Sequence, residues 1–150
     1  MDTDSMTVRR AIPGDLDTLI GLCAEYCAAD GHQYDPERVL AGLQPLLDDD
    51  DHGVVLLGLV DGDADGYAAV TWGWSIEIGG FEVVLDELYV RTRDRGLGGR
   101  LIDAAEGECR ARGVRRIVLE TERPNDAARR VYERHGYIAD DSIWMSKELT

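Results

Sequence analysis

Two glycine-bearing turns, Asp61-Gly62-Asp63 and Gly79-Gly80, divide residues 53–90 into three strand-like runs, and this division constrains the fold more than any other feature of the chain. The runs 53–60, 66–78 and 81–90 are rich in β-branched and aromatic residues. Turns this short join antiparallel neighbours, so a meander is expected. Upstream, residues 7–11 read as a first strand, and Pro13-Gly14-Asp15 opens a helix that runs to Ala29. Leu16, Leu19, Ile20, Cys23 and Cys27 fall on one face of it, and Asp30-Gly31 ends it. A second helix is expected from Pro36 to Leu47, with Val39, Leu40, Leu43, Leu46 and Leu47 at the 3.6-residue period. The aspartates that follow, Asp48 to Asp51, oppose the helix dipole at that end.

After residue 90 the pattern changes to strand, glycine loop, helix, strand, helix. A helix over 97–112 carries Leu101, Ile102, Ala105 and Cys109 inward, 115–120 reads as a short buried strand, and 125–135 reads as a helix stopped by Gly136. A terminal hairpin is expected from 137–138 and 143–149. The crossover helix makes the strands at 81 and 115 parallel neighbours, giving a mixed α/β (α+β) sheet with helices on both faces. No repeat or linker divides the chain, and 150 residues suit a single domain over 1–150.

Composition narrows the function. The net charge of −14 is unevenly spread: residues 1–90 hold three arginines against nineteen acids, whereas 91–150 hold thirteen bases against eleven acids. A basic stretch in an acidic protein reads as an anion site, and the acidic half attracts a cationic partner while repelling nucleic-acid phosphates. Adaptation to high salt accounts for the same acidity equally well. The apolar run 54–60 is too short to cross a bilayer, and residues 1–8 lack the basic start of a secretory leader, so no membrane partner and a cytoplasmic location are expected. Three cysteines argue against a disulfide framework. Cys23 and Cys27 are one helical turn apart but lack a His or acid pair beside them, so no metal is expected.

The chemistry concentrates in Arg93-Asp94-Arg95-Gly96-Leu97-Gly98-Gly99-Arg100, between a strand and a helix. Glycines let backbone N–H groups approach phosphate oxygens, and a helix start adds its positive dipole end. With Arg91, these arginines raise the local charge further. A dinucleotide-binding loop competes, because Gly96-x-Gly98 follows a strand and Glu120 ends the next one. Against it, Leu101 stands at the third glycine position and the preceding ninety residues are not the start of a βαβ unit. A Walker loop is excluded, since no Gly-Lys-Ser/Thr follows.

Residues 85–137 resemble the GNAT superfamily of N-acetyltransferases. The family's Arg/Gln-x-x-Gly-x-Gly signature is matched by Arg93-x-x-Gly96-x-Gly98, and Leu85-Asp86-Glu87-Leu88-Tyr89-Val90 is similar to its preceding strand. Downstream, Asn125-x-x-Ala128-x-x-x-Tyr132-x-x-x-Gly136-Tyr137 follows the family's order and spacing. Only Arg91 and Thr92 separate Val90 from Arg93, about two residues fewer than is usual in the family, so Arg93 and Arg95 both stand for the signature position.

The resemblance implies a three-layer GNAT fold and transfer of acetyl from acetyl-CoA to a primary amine in a ternary complex. It implies that main-chain groups of Leu88, Tyr89 and Val90 pair with the pantetheine arm, and that Arg93, Arg95, Gly96, Leu97, Gly98, Gly99, Arg100 and Asn125 serve the cofactor. Tyr132, seven residues after Asn125 and on the same helix face, is the implied donor to the departing thiolate. Glu87, with Asp86 next, is the expected base, and both as an acidic wall for the ammonium group is the alternative. Glu25, Tyr26, Asp30, His32 and Tyr34, with Trp72, Trp74 and Glu77, offer aromatics and carboxylates suited to a small cationic acceptor, although packing explains His32 and the tryptophans as well. A homodimer through the terminal strands is a further implication, and the competing class is an acyl-CoA sensor or interaction domain without turnover.

Overall fold

A computed structural model describes residues 5–150, and the chain forms two compact units, one through Glu120 and one from Thr121 to Thr150. The first unit begins with strand β1 (Met6–Arg10), a 3-10 turn at Pro13–Asp15, and helices α1 (Leu16–Ala29) and α2 (Pro36–Asp48). Asp35 caps α2 by accepting from the N–H groups of Glu37 and Arg38. Strands β2 (Gly53–Val60), β3 (Asp63–Thr71), β4 (Trp74–Ser75) and β5 (Gly80–Val90) follow, then helix α3 (Leu97–Ala111) and strand β6 (Arg116–Val118). The sheet runs β1-β2-β3-β5, with β4 and β6 also on β5. Every pairing is antiparallel except β5 with β6, as a crossover helix between them requires.

The sheet is covered on both faces. Val55, Leu57, Tyr67 and Ala69 join Leu19, Leu22 and Cys23 of α1 and Leu43 and Leu47 of α2 in one core cluster. Their buried strand neighbours Val54, Leu56, Ala68 and Val70 turn the other way, toward the face where Leu97 of α3 lies against Gly58. This double burial is why β2 is apolar throughout instead of alternating.

Three elements differ from the expectation. The long strand expected over 66–78 begins earlier, at Asp63, and loses regular pairing after Thr71. Trp74 opposite Phe81 nevertheless keeps the register of Thr71 opposite Val84, and the carbonyl of Gly73 accepts from Glu82 N–H at 3.1 Å. A Cβ at Gly73 would lie 2.7 Å from the Glu82 carbonyl oxygen, so the strands converge where only glycine fits. The second difference is β6, which pairs only over Arg116–Val118, short of the 115–120 expected.

The third is the terminal hairpin, which does not form: residues 138–150 carry no helix or strand, and Ile138, Ile143, Trp144, Met145 and Leu149 are exposed. Its first arm is two residues long, and Tyr137 is already drawn back onto the preceding helix, its N–H donating to the Tyr132 carbonyl at 3.1 Å. So short a ribbon has too few ladder bonds to stand alone. The second unit is otherwise helix α4 (Asp126–Arg134), which ends at Gly136 with φ of 90°.

One close approach positions the functional end of β5. A Cβ at Gly66 would come within 2.5 Å of the Tyr89 carbonyl oxygen, a contact no side chain could relieve. Gly66→Ala is therefore expected to lower unfolding free energy by about 1–3 kcal/mol in a denaturant titration. A stability equal to wild type would mean that β3 and β5 can separate freely there.

Candidate active site

Strand β5 changes register within the sheet. Ala69 stands opposite Glu87 but Val70 stands opposite Leu85, so Asp86 is an extra, unpaired residue forming a bulge. Without it Glu87 would share the face of Leu85. With it Glu87 joins Tyr67 and Tyr89 on the α1 side, while Asp86 is exposed. The Tyr67 hydroxyl donates to Glu87 Oε1 at 2.6 Å. Burial holds the Glu87 carboxyl above the usual carboxylate range; the Tyr67 bond and the nearby His32 oppose that rise, and Asp86 adds to it. Around this carboxylate, the Tyr89 ring lies 6.3 Å from that of Tyr67 and stacks on Tyr26 at 5.9 Å. His32 itself is exposed, with Nδ1 3.3 Å from Asp30.

Glu25, expected at the acceptor, is held by Arg91 instead. Arg91 Nε and Nη2 donate to its two oxygens at 2.9 and 2.7 Å, and the Tyr89 hydroxyl donates to Oε1 at 3.2 Å. The bidentate pair keeps Glu25 ionised below its ordinary range and removes Arg91 from the charge available to the loop.

Beyond β5 the backbone leads into the glycine loop before α3. Arg91 N–H points toward β3, donating to the Asp65 carbonyl at 2.6 Å. By strand alternation, Leu88 and Val90 turn their N–H and C=O groups to the opposite edge, which β6 pairs only at Glu82–Val84. Thr92 is tied back to Asp65 through both its N–H and its hydroxyl at 3.2 Å. The chain then turns through two left-handed residues, Asp94 at φ 67° and Gly96 at φ 87°. Gly96 is the N-cap of α3; no side chain caps that start and its first turn holds no acid. The N–H groups of Leu97, Gly98 and Gly99 precede the first helical bond, from Arg100 N–H to the Gly96 carbonyl. Among the described residues no strand pairs that edge at Leu88 and Val90, and an edge leading to the start of α3 beside exposed Arg93 and Arg95 would suit a pantetheine arm ending in a diphosphate. Arg100 directs Nη1 to the Met6 carbonyl at 3.2 Å.

Within the second unit, Asn125 Oδ1 accepts from Ala128 N–H at 3.2 Å, capping α4. Tyr132 lies two turns along, its ring 5.8 Å from Tyr137 in a T-shaped contact, and burial raises its phenol above the ordinary value. The remaining expected acceptor residues stand apart from Glu87. Trp72 donates Nε1–H to the Asp50 carbonyl at 2.8 Å and carries the Arg112 guanidinium 4.2 Å above its ring. Trp74 packs edge-on against Phe81, roughly 20 Å along the strand from Glu87. Glu77 pairs with Arg116 at 3.3 Å. Tyr34 is half-buried in a shallow recess with Gln33, Asp35, Pro36 and Arg38. The sequence did not single out Tyr67, although its place across the strand pair from Tyr89 is what brings it to Glu87.

The profile of the Acetyltransferase (GNAT) family matches residues 19–137. The chain belongs to that family. As a GNAT acetyltransferase it is an acetyl-CoA-dependent acyltransferase. The uncharacterized N-acetyltransferase YhfO of Bacillus subtilis (strain 168) is 28% identical over 137 residues, 90% of this chain and 91% of that protein. An integron cassette protein from the mobile metagenome of Cole Harbour Salt Marsh superposes with TM-score 0.85 at 28% identity, covering 95% of this chain and 90% of the other. An aminoglycoside N-acetyltransferase solved in complex with CoA shares the fold, with TM-score 0.84 at 19% identity over 99% and 98% of the two chains. Among the described residues no helix is long and apolar enough to cross a membrane.

Proposed function

We propose that both units work as one GNAT domain, spanning 1–150, that acetylates the amino group of a small cationic acceptor within a ternary complex. The observation that carries this reading is β5 itself, where the bulge at Asp86 aims Glu87 toward α1 one residue before the free edge of Leu88 and Val90 begins. The family profile crosses the boundary between the units, which favours one domain. Bound acetyl-CoA supplies an acetyl group activated as a thioester. The chain's own groups do the rest: Leu88 and Val90 pair with the arm, Tyr89 between them packs on Tyr26, and Arg93, Arg95 and the N–H groups of Leu97, Gly98 and Gly99 hold the diphosphate. Glu87 takes a proton from the acceptor's ammonium group, freeing the nitrogen lone pair for attack on the carbonyl. Tyr132, protonated throughout the neutral range, gives its proton to the leaving sulfur.

A small cationic acceptor is supported by the acidic first ninety residues and by the aromatic and acidic side chains near Glu87: Tyr26, Tyr89 and Asp86. Structures named as aminoglycoside acetyltransferases among the fold relatives are in keeping with it. The test is thiol release from acetyl-CoA across polyamines, amino acids, aminoglycosides and lysine-containing peptides. Release with a di- or polycationic small amine, saturating in acceptor, is expected. Binding of CoA without release by any amine would instead make the chain a sensor, and a preference for peptides would move the acceptor class.

A further inference from the structure

We propose that Tyr67 is a positioning residue for acetyl transfer: its hydroxyl clamps Oε1 of Glu87 and leaves Oε2 as the oxygen that meets the acceptor's proton. The inference rests on Glu87 as the base and deepens that reading. Tyr67 is 0% exposed in the core beneath α1, so its ring has one place to be. It stands opposite Tyr89, which makes Glu87, two residues before Tyr89 and on the same face, its diagonal cross-strand neighbour within reach of a tyrosine. Among the described residues no other group donates a hydrogen bond to that carboxylate.

The groups facing Glu87 come from four elements. Asp86 is its neighbour on β5, His32 lies on the loop after α1, Cys23 and Cys27 project from α1, and Tyr67 projects from β3. Burial pushes the Cys23 thiol up to about 11, so at neutral pH it is uncharged, and burial raises the Tyr67 phenol further. The phenol therefore stays a donor across the working range, and the form of Glu87 it favours is the carboxylate. Asp86 and His32 act on Glu87 through charge alone, with opposite signs, so the direction and placement of the carboxylate depend on Tyr67.

The experiment is the pH profile of kcat/KM for Tyr67→Phe, beside Glu87→Gln and a protein carrying 3-fluorotyrosine at position 67 only. Losing the hydroxyl leaves a half-buried carboxylate without its donor, so the acidic limb should move to higher pH by roughly one to two units while KM for acetyl-CoA stays put. Fluorination makes the phenol a stronger donor and should move the limb the opposite way. An acidic limb unmoved in both Tyr67 variants overturns the inference while leaving Glu87 as base. A limb that persists in Glu87→Gln overturns the base itself, whatever Tyr67 does. Should the phenylalanine protein fail to fold, the fluorotyrosine protein decides alone, since it alters no packing volume beyond one ring substituent.

Discussion

Tyr132→Phe is expected to leave acetyl-CoA binding intact and to slow acetyl transfer by roughly 10²-fold or more. The substitution is clean because the ring's work and the hydroxyl's work are separate. The ring packs edge-on against Tyr137 at 5.8 Å, a contact phenylalanine keeps. Among the described residues the hydroxyl makes no hydrogen bond, so removing it should change unfolding free energy by less than about 0.5 kcal/mol. Burial raises the phenol, so the protonated form persists to higher pH than in a free tyrosine and a donor is present throughout the neutral range. Calorimetry with CoA and single-turnover thiol release separate the two quantities. A turnover number equal to wild type removes Tyr132 from the chemistry, and a loss confined to CoA affinity makes it a binding residue.

The fold was legible wherever local rules decide it. Glycine turns at Gly62 and Gly79, the 3.6-residue period of Leu16, Leu19, Ile20, Cys23 and Cys27, and the stop at Gly136 are written within a few residues of sequence, and the elements stand where those signals put them. What was not legible depends on partners distant along the chain. Glu25 reads as a free acid on a helix until β5 brings Arg91 across 66 residues to take it. Asp86 and Glu87 read as strand neighbours facing opposite ways, which is true only on a regular strand. The bulge is a property of the register between β3 and β5, visible in neither strand alone. Trp72 and Trp74 read as aromatics suited to an acceptor, but the claims of Asp50 and Arg112 on Trp72 and of Phe81 on Trp74 are tertiary. The terminal hairpin failed for the converse reason. Its second arm opens with an apolar run, Ile143-Trp144-Met145, as a buried strand could, but composition cannot supply the ladder a strand needs.

Glu87→Gln should lower kcat/KM at neutral pH by roughly 10²- to 10⁴-fold and abolish the acidic limb of the profile. Glutamine is the informative replacement because its Oε1 can still accept from Tyr67, preserving the side chain's direction while removing its affinity for a proton. The same substitution should affect stability with a definite sign. A carboxyl raised by burial favours the protonated form in the folded protein, so stability is lost as pH rises from the unfolded value through the raised folded one. The glutamine variant escapes that loss, and its melting temperature relative to wild type should climb from pH 4 to pH 7. Asp86→Asn provides the contrast: its exposed charge raises Glu87, so removing it should slide the acidic limb to lower pH without abolishing it. If the limb survives in Glu87→Gln and only the acceptor KM rises, the carboxylate holds the ammonium group and does not deprotonate it. In that case the nucleophile must lose its proton to solvent before it enters, and turnover should follow the fraction of free amine.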